Sequence, residues 1–323
     1  MALPHTILDN SAPKAGKLGF DILIDESFAN LCLDQSVTPK ENKRVLSLIN
    51  DFQDGEWRYG KFSKFIWDNI AETALSNRER ASLADQSQSQ MINAAKNLRL
   101  TDKDTVGEAS ELAEIVLYAI MRRHFGALPV VPKIFYKQNA QDNAKGSDSV
   151  HIVLKDGDFS IWFGEAKFYN SIEDTRLPSI VTSVKNSLDT KKLKKENSII
   201  VGLSDLDELI PDTTVNKNIK SLLSQDASID NLKPKLNIPI LLLHECDKTK
   251  TQSSLSEKYK EEIKAHHAER AIKYFTKQIS GCKDIHDYSS IKFHIILFPV
   301  PSKDEIVKQF LKNVTHYKSE DID

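Results

Sequence analysis

Three residues near the middle of the chain, Asp148, Glu165 and Lys167, are of types that do chemistry. Two carboxylates can hold a divalent cation, and an amine can orient or deprotonate a water molecule. All three lie in the stretch GSDSVHIVLKDGDFSIWFGEAKFY, Gly146–Tyr169. Asp156-Gly157 is a strong signal for the centre of a tight type I′ hairpin turn. With that turn Lys155 faces Asp158, Leu154 faces Phe159, Ile152 faces Ile161 and Val150 faces Phe163. Side chains alternate along a strand, so the last three pairs share one apolar face. The next pair on that face is Asp148 with Glu165, and directly opposed Cβ atoms lie about 4.5–5.5 Å apart. Lys167 is two residues further on and points the same way. The other face carries Ser149, His151, Val153, Ser160, Trp162, Gly164 and Ala166.

Two carboxylates that close repel each other, and at the rim of an apolar face they lose hydration as well. Folding gains nothing from the pair unless positive charge sits between them. Lys167 supplies part of that charge and a divalent cation would supply more. Converging carboxylates with a backbone carbonyl and waters suit Mg²⁺, with Mn²⁺ as a substitute. The plainer alternative is a salt bridge at a strand end. The expectation depends on register, since a bulge at Gly164 would offset Asp148 from Glu165.

The elements around the hairpin read as alternating strands and helices. Thr105–Phe125 reads as a helix, with Thr105 and Glu108 in a T-x-x-E capping box and Gly126 closing it. The spacing predicts helices over 177–188, 256–279 and 302–314 and buried strands over 198–203, 238–244 and 293–298. Residues 130–136 could add a strand. The first hundred residues read as mostly helical after a short strand at 20–24, with helices over 40–51 and 61–77. Residues 78–90 are polar, and 212–235 read as a loop-rich insertion. The pattern is α/β with a mixed sheet, divided into a helical N-terminal region, 1–100, suited to partner binding, and a second region, 101–323, that carries the hairpin.

Composition bounds the rest. The chain has 323 residues, 28% of them charged and 40% hydrophobic, and three isolated cysteines. These fit a soluble protein of a reducing cytoplasm, with no signal peptide, no run of the ~20 apolar residues that span a bilayer, and no disulfide framework. The net charge of −2 carries no general basic footprint. The densest basic run, Lys191–Lys195, reads as a solvated helix end or as a contact for a nucleic-acid backbone. No Walker A, G-x-S-x-G or G-x-G-x-x-G motif is present. His266-His267-Ala-Glu269 reads as a solvated helix face, and His244-Glu-Cys-Asp247 as a strand end.

The Asp148…Glu165-Ala-Lys167 arrangement resembles the PD-(D/E)xK nuclease signature, with Ser147 in place of the usual proline. The family likeness implies a restriction-endonuclease-like fold, a mixed sheet flanked by helices. It also implies a further Glu on the preceding helix, where GEASELAE offers candidates at 108, 111 and 114. The apolar face of that helix leaves Glu111 at its edge one turn in, whereas Glu108 has the cap as a competing role. More narrowly, the G-E-x-x-E helix, the G-x-D strand and G-E-A-K-F-Y before a Ser/Asn-rich helix are similar to the Hachiman anti-phage nuclease subunit, the HamA family. That resemblance implies a DNase paired with a superfamily 2 helicase in a heterodimer. The implied catalytic set is Glu111, Asp148, Glu165 and Lys167. The implied metal set is Asp148, Glu165 and the carbonyl of Ala166, with Glu108 or Glu111 tuning the site or binding a second ion. A lysine beside such a cation is expected to have a depressed pKa. The rivals are a non-catalytic adaptor with a nuclease-like fold, and a stand-alone restriction endonuclease.

Overall fold

The computed structural model describes residues 18–99, 105–136, 147–201 and 205–320, with 105–108, 136, 201 and 205 described as backbone only. Seven strands form one mixed sheet: β1 (Asp21–Ser27), β2 (Lys43–Ile49), β3 (Leu128–Val131), β4 (Ser149–Lys155), β5 (Asp158–Tyr169), β6 (Leu236–Glu245) and β7 (Lys292–Val300), in the order β1-β2-β7-β6-β5-β4-β3. The four inner strands β2, β7, β6 and β5 run parallel, and β1, β4 and β3 are antiparallel to their neighbours. Parallel strands must be covered on both faces. Accordingly β6 and β7 are apolar almost throughout and buried along nearly their whole length.

Helices cover both faces. On one side α1 (Tyr59–Ala74) and α2 (Thr105–Phe125) pack Phe62, Phe65, Ile66, Leu112, Val116 and Leu117 against Trp162, Ala166 and Phe168 of β5. On the other, α3 (Leu177–Ser187), α4 (Thr190–Val201) and α5 (Glu257–Cys282) pack Ile180, Val184, Leu193, Tyr274 and Phe275 against Ile161 and Phe163. Ser256 caps α5, and Ser302 caps the last helix, α6 (Lys303–Ser319), each accepting the amide three residues on. The expected cap at Thr105 and Glu108 lies outside the described side chains.

The hairpin between β4 and β5 is as the sequence predicts. Asp156 and Gly157 have φ of 51° and 75°, as a type I′ turn requires. The register runs from Lys155 opposite Asp158 to Ser149 opposite Gly164.

Other elements differ from the sequence expectations. Residues 40–51 hold β2, not a helix. The run KRVLSLI is buried nearly throughout between β1 and β7, and that tertiary burial overrides the helical spacing of its apolar residues. Residues 198–201 end α4 and form no strand. Leu193, Glu196, Asn197 and Ile200 are its buried positions, a helical spacing that a short apolar window conceals. The strand expected at 130–136 stops at Val131 and gives way to a helical turn, Lys133–Tyr136. The stretch 212–235 is also helical, with Asp212 capping Thr213–Leu222. The break anticipated after residue 100 does not divide the sheet, because β1 and β2 join it through β7.

Candidate metal-binding active site

Glu165 and Lys167 sit on the face of β5 that looks towards α3. Glu165 is 6% exposed, and its Oε2 accepts a hydrogen bond from Ser183 Oγ of α3 at 3.0 Å. Lys167 Nζ stands 3.2 Å from Glu165 Oε2 and 3.4 Å from Asp148 Oδ2. The two acids and the amine anticipated from the sequence are therefore together, with the ammonium bridging the carboxylates.

Their local geometry differs from a continued ladder. Pairing stops at Ser149 opposite Gly164, and the Asp148 amide donates to the same Gly164 carbonyl at 2.8 Å. Asp148 is thus offset by one position, a small bulge where the strand begins. Its Oδ2 accepts the Ala166 amide at 2.9 Å, supplying the acceptor that the backbone of β4 no longer provides. The offset does not separate Asp148 from Glu165, because both still meet Lys167. Gly164 permits the close approach: a Cβ there would lie 2.2 Å from Ser149 Oγ and 2.8 Å from Leu117 Cδ2 of α2.

The electrostatics follow from the crowding. Burial, and then the charge of Asp148, push the Glu165 carboxyl above its usual range, although Lys167 and Ser183 oppose the shift. Burial pulls Lys167 down, but the carboxylates of Asp148 and Glu165 outweigh it and hold the amine above its ordinary value. The depressed lysine pKa expected beside a divalent cation is therefore not the condition of the protein alone, where Lys167 is held as an ammonium.

Do these groups suit a divalent cation? The donors are hard oxygens of two acids from adjoining strands, one of them desolvated. An ammonium occupies the point where they need positive charge. The donor set is of the kind that suits Mg²⁺ or Mn²⁺, which Asp148 and Glu165 would hold.

Glu111, expected to join them from the preceding helix, has another partner. Glu111 is buried, and its Oε1 accepts the Arg99 amide at 2.9 Å. Its helix covers the face of β5 opposite to the one that carries Glu165. Glu114, on the same helix, is also buried and accepts from Ser110. The side chain of Glu108 lies outside the described residues, as does Gly146. Among the described residues, three metal-ligating groups come within 4.8 Å of one another only at Asp230, His286 and Asp287, all exposed. Among the described residues Asp148 and Glu165 therefore converge without a third acid at that distance.

The structure adds neighbours that the sequence did not reveal. A cavity of about 260 Å³ opens beside Glu165, lined also by Ser147, Ser183, Asn186, Lys192 and Glu196. Lys192 brings part of the basic run to its wall. Glu196 accepts the Ser147 amide at 2.9 Å and pairs with Lys133 at 2.6 Å. A proline at 147, usual in the nuclease signature, has no N–H to donate there. An acid at a core position of a helical pattern was the available signal for Glu196, and reading 198–203 as a strand hid it.

The histidines also depart from expectation. His267 does not face solvent but is fully buried, with Nδ1 2.7 Å from Ser47 Oγ and Nε2 3.1 Å from His244 Nε2. His244 lies opposite Tyr169 in the parallel ladder, so the end of β6 does neighbour the hairpin.

The fold and the site together define a mixed α/β protein with paired carboxylates and one lysine between adjoining strands, beside a polar cavity. The HamA family model matches residues 26–314, and the chain belongs to the HamA family. Membership gives it a role in Hachiman anti-phage defence. No match to a curated protein was found.

Proposed function

We propose that the chain is a metal-dependent nuclease that hydrolyses phosphodiester bonds of DNA and works under the control of a superfamily 2 helicase partner. The observation that carries this reading is the convergence of Asp148 and Glu165 on Lys167, with Glu165 also lining a polar cavity. Family membership adds the biological setting.

In this reading Asp148 and Glu165 hold Mg²⁺, which when bound polarises the scissile phosphate and lowers the pKa of a coordinated water. Ser183 and the Ala166 amide fix the orientation of the two carboxylates. Lys167, held as an ammonium, offers protons and charge to the phosphate oxygens as negative charge builds on them. Lys192 gives the cavity wall a cation suited to a neighbouring phosphate. The modest net charge leaves much of the affinity for DNA to a partner.

The test is plasmid cleavage with and without Mg²⁺, alone and with the helicase, comparing wild type with Glu165→Ala and Lys167→Ala. Mg²⁺-dependent cleavage by wild type that either substitution abolishes supports the reading. Full cleavage by Lys167→Ala, or cleavage indifferent to chelation, overturns it. An intact complex with the helicase but no cleavage under any condition favours an adaptor.

A further inference from the structure

A buried ion pair lies behind Asp148 with no part in the chemistry above. Lys133 follows β3 and Glu196 lies in the middle of α4; their side chains are 2% and 5% exposed. Taking both charges out of water is expensive, and a packed apolar pair in their place is often as stable or more so. Stability alone therefore does not account for the pair. Glu196 makes a second contact: its Oε2 takes Lys133 Nζ at 2.6 Å, while Oε1 takes the amide of Ser147 at 2.9 Å. Ser147 is the residue before Asp148, at the point where the β4 ladder has ended.

Three bonds thus fix this short piece of backbone. Glu196 holds the amide of 147, Gly164 holds the amide of 148, and the Asp148 carboxylate holds the amide of 166. Two of them lie within the hairpin. Only the first ties the strand start to another layer of the protein. A charged acceptor makes the stronger kind of hydrogen bond, and the 2.6 Å contact with Lys133 holds that acceptor in place.

We infer that Glu196, oriented by Lys133, is a positioning residue that clamps the Ser147 amide and so sets the Asp148 carboxylate for divalent-cation binding with Glu165. This rests on the metal reading of the Asp148–Glu165 site. Removing such an outer contact costs about 10–100-fold in metal affinity where it orients a ligand.

Two double variants isolate the clamp. Lys133→Met/Glu196→Gln and Lys133→Met/Glu196→Met both remove the buried ion pair and keep similar volume. Only the glutamine retains an oxygen able to accept the Ser147 amide. Mn²⁺ binding to the full chain is measured by titration calorimetry, with thermal unfolding to confirm the fold. The glutamine variant is expected to bind Mn²⁺ within about threefold of wild type, and the methionine variant about tenfold or more weakly. Equal Mn²⁺ affinity in the two folded variants, whether both retained or both lost, overturns the clamp. Failure of the underlying reading looks different: Glu165→Ala would then bind Mn²⁺ as wild type does, and the clamp would fall with it.

Discussion

Ser183 Oγ donates to Glu165 Oε2 at 3.0 Å, joining the helix that follows the hairpin to the more buried of the two site acids. This hydrogen bond is one of the few favourable contacts of a carboxylate that burial penalises. Ser183→Ala is expected to leave the fold intact and weaken Mn²⁺ affinity and cleavage by about tenfold, the usual effect of losing an outer contact to a ligand. A metal titration checks it, and unchanged affinity would show that Lys167 alone orients Glu165.

Glu165→Gln mimics the protonated acid and removes ligand charge. The folded pKa of Glu165 is raised above its unfolded value of 4.5, so ionisation costs stability above the folded pKa. Without metal the variant is therefore expected to melt higher than wild type at pH 7. The difference should shrink as pH falls through the raised pKa and vanish below 4.5, where wild type is protonated in both states. Added Mn²⁺ should stabilise wild type and not the variant. Melting curves from pH 4 to 8, with and without Mn²⁺, read both effects.

The buried histidines give a pH dependence of the opposite sign. His244 Nδ1 is 3.1 Å from the Glu245 carbonyl, so it carries the proton and donates. That leaves His244 Nε2 to accept from His267 Nε2–H, and His267 Nδ1 to accept from Ser47. Both rings are neutral in this chain, a tautomer assignment made from the network. Burial pushes His244 down to about 3 and His267 well below 6.5. Because the unfolded chain takes up protons first, stability falls as pH drops below about 6.5, by up to ~1.4 kcal/mol per pH unit for each ring. His267→Gln should flatten the pH dependence of the melting temperature between pH 6.5 and 5. A parallel slope would contradict the neutral assignment.

Gly164→Ala places a methyl group against Ser149 Oγ and Leu117 Cδ2. Overpacking of this kind costs about 1–3 kcal/mol. Adding Ser149→Ala removes the closest contact and should restore part of the loss, as chemical unfolding of the single and double variants would show. Full additivity would mean that the two positions do not meet.

The residue pattern from 146 to 169 was legible because it is local. Turn chemistry at Asp156-Gly157 fixes the register, and strand alternation then carries Glu165 and Lys167 onto one face. Long amphipathic segments such as α2, α5 and α6 were equally plain, since many turns repeat the same message. Short apolar runs were not. KRVLSLI became an inner strand because β1 and β7 flank it, whereas SIIV became the end of a helix because α4 lies over the sheet. Periodicity over so few residues favours neither state.

By itself, the sequence determined the acids, the lysine and the turn that brings them near one another, because those relations span about twenty residues of one hairpin. Tertiary structure alone decided the one-residue offset of Asp148, the packing of the helix that carries Glu111 on the face of β5 opposite Glu165, and the gathering of Ser183, Lys192, Glu196 and Lys133 around the site. Those groups meet across separate layers of the fold. Packing and desolvation set such contacts, and neither leaves a fixed spacing along the chain.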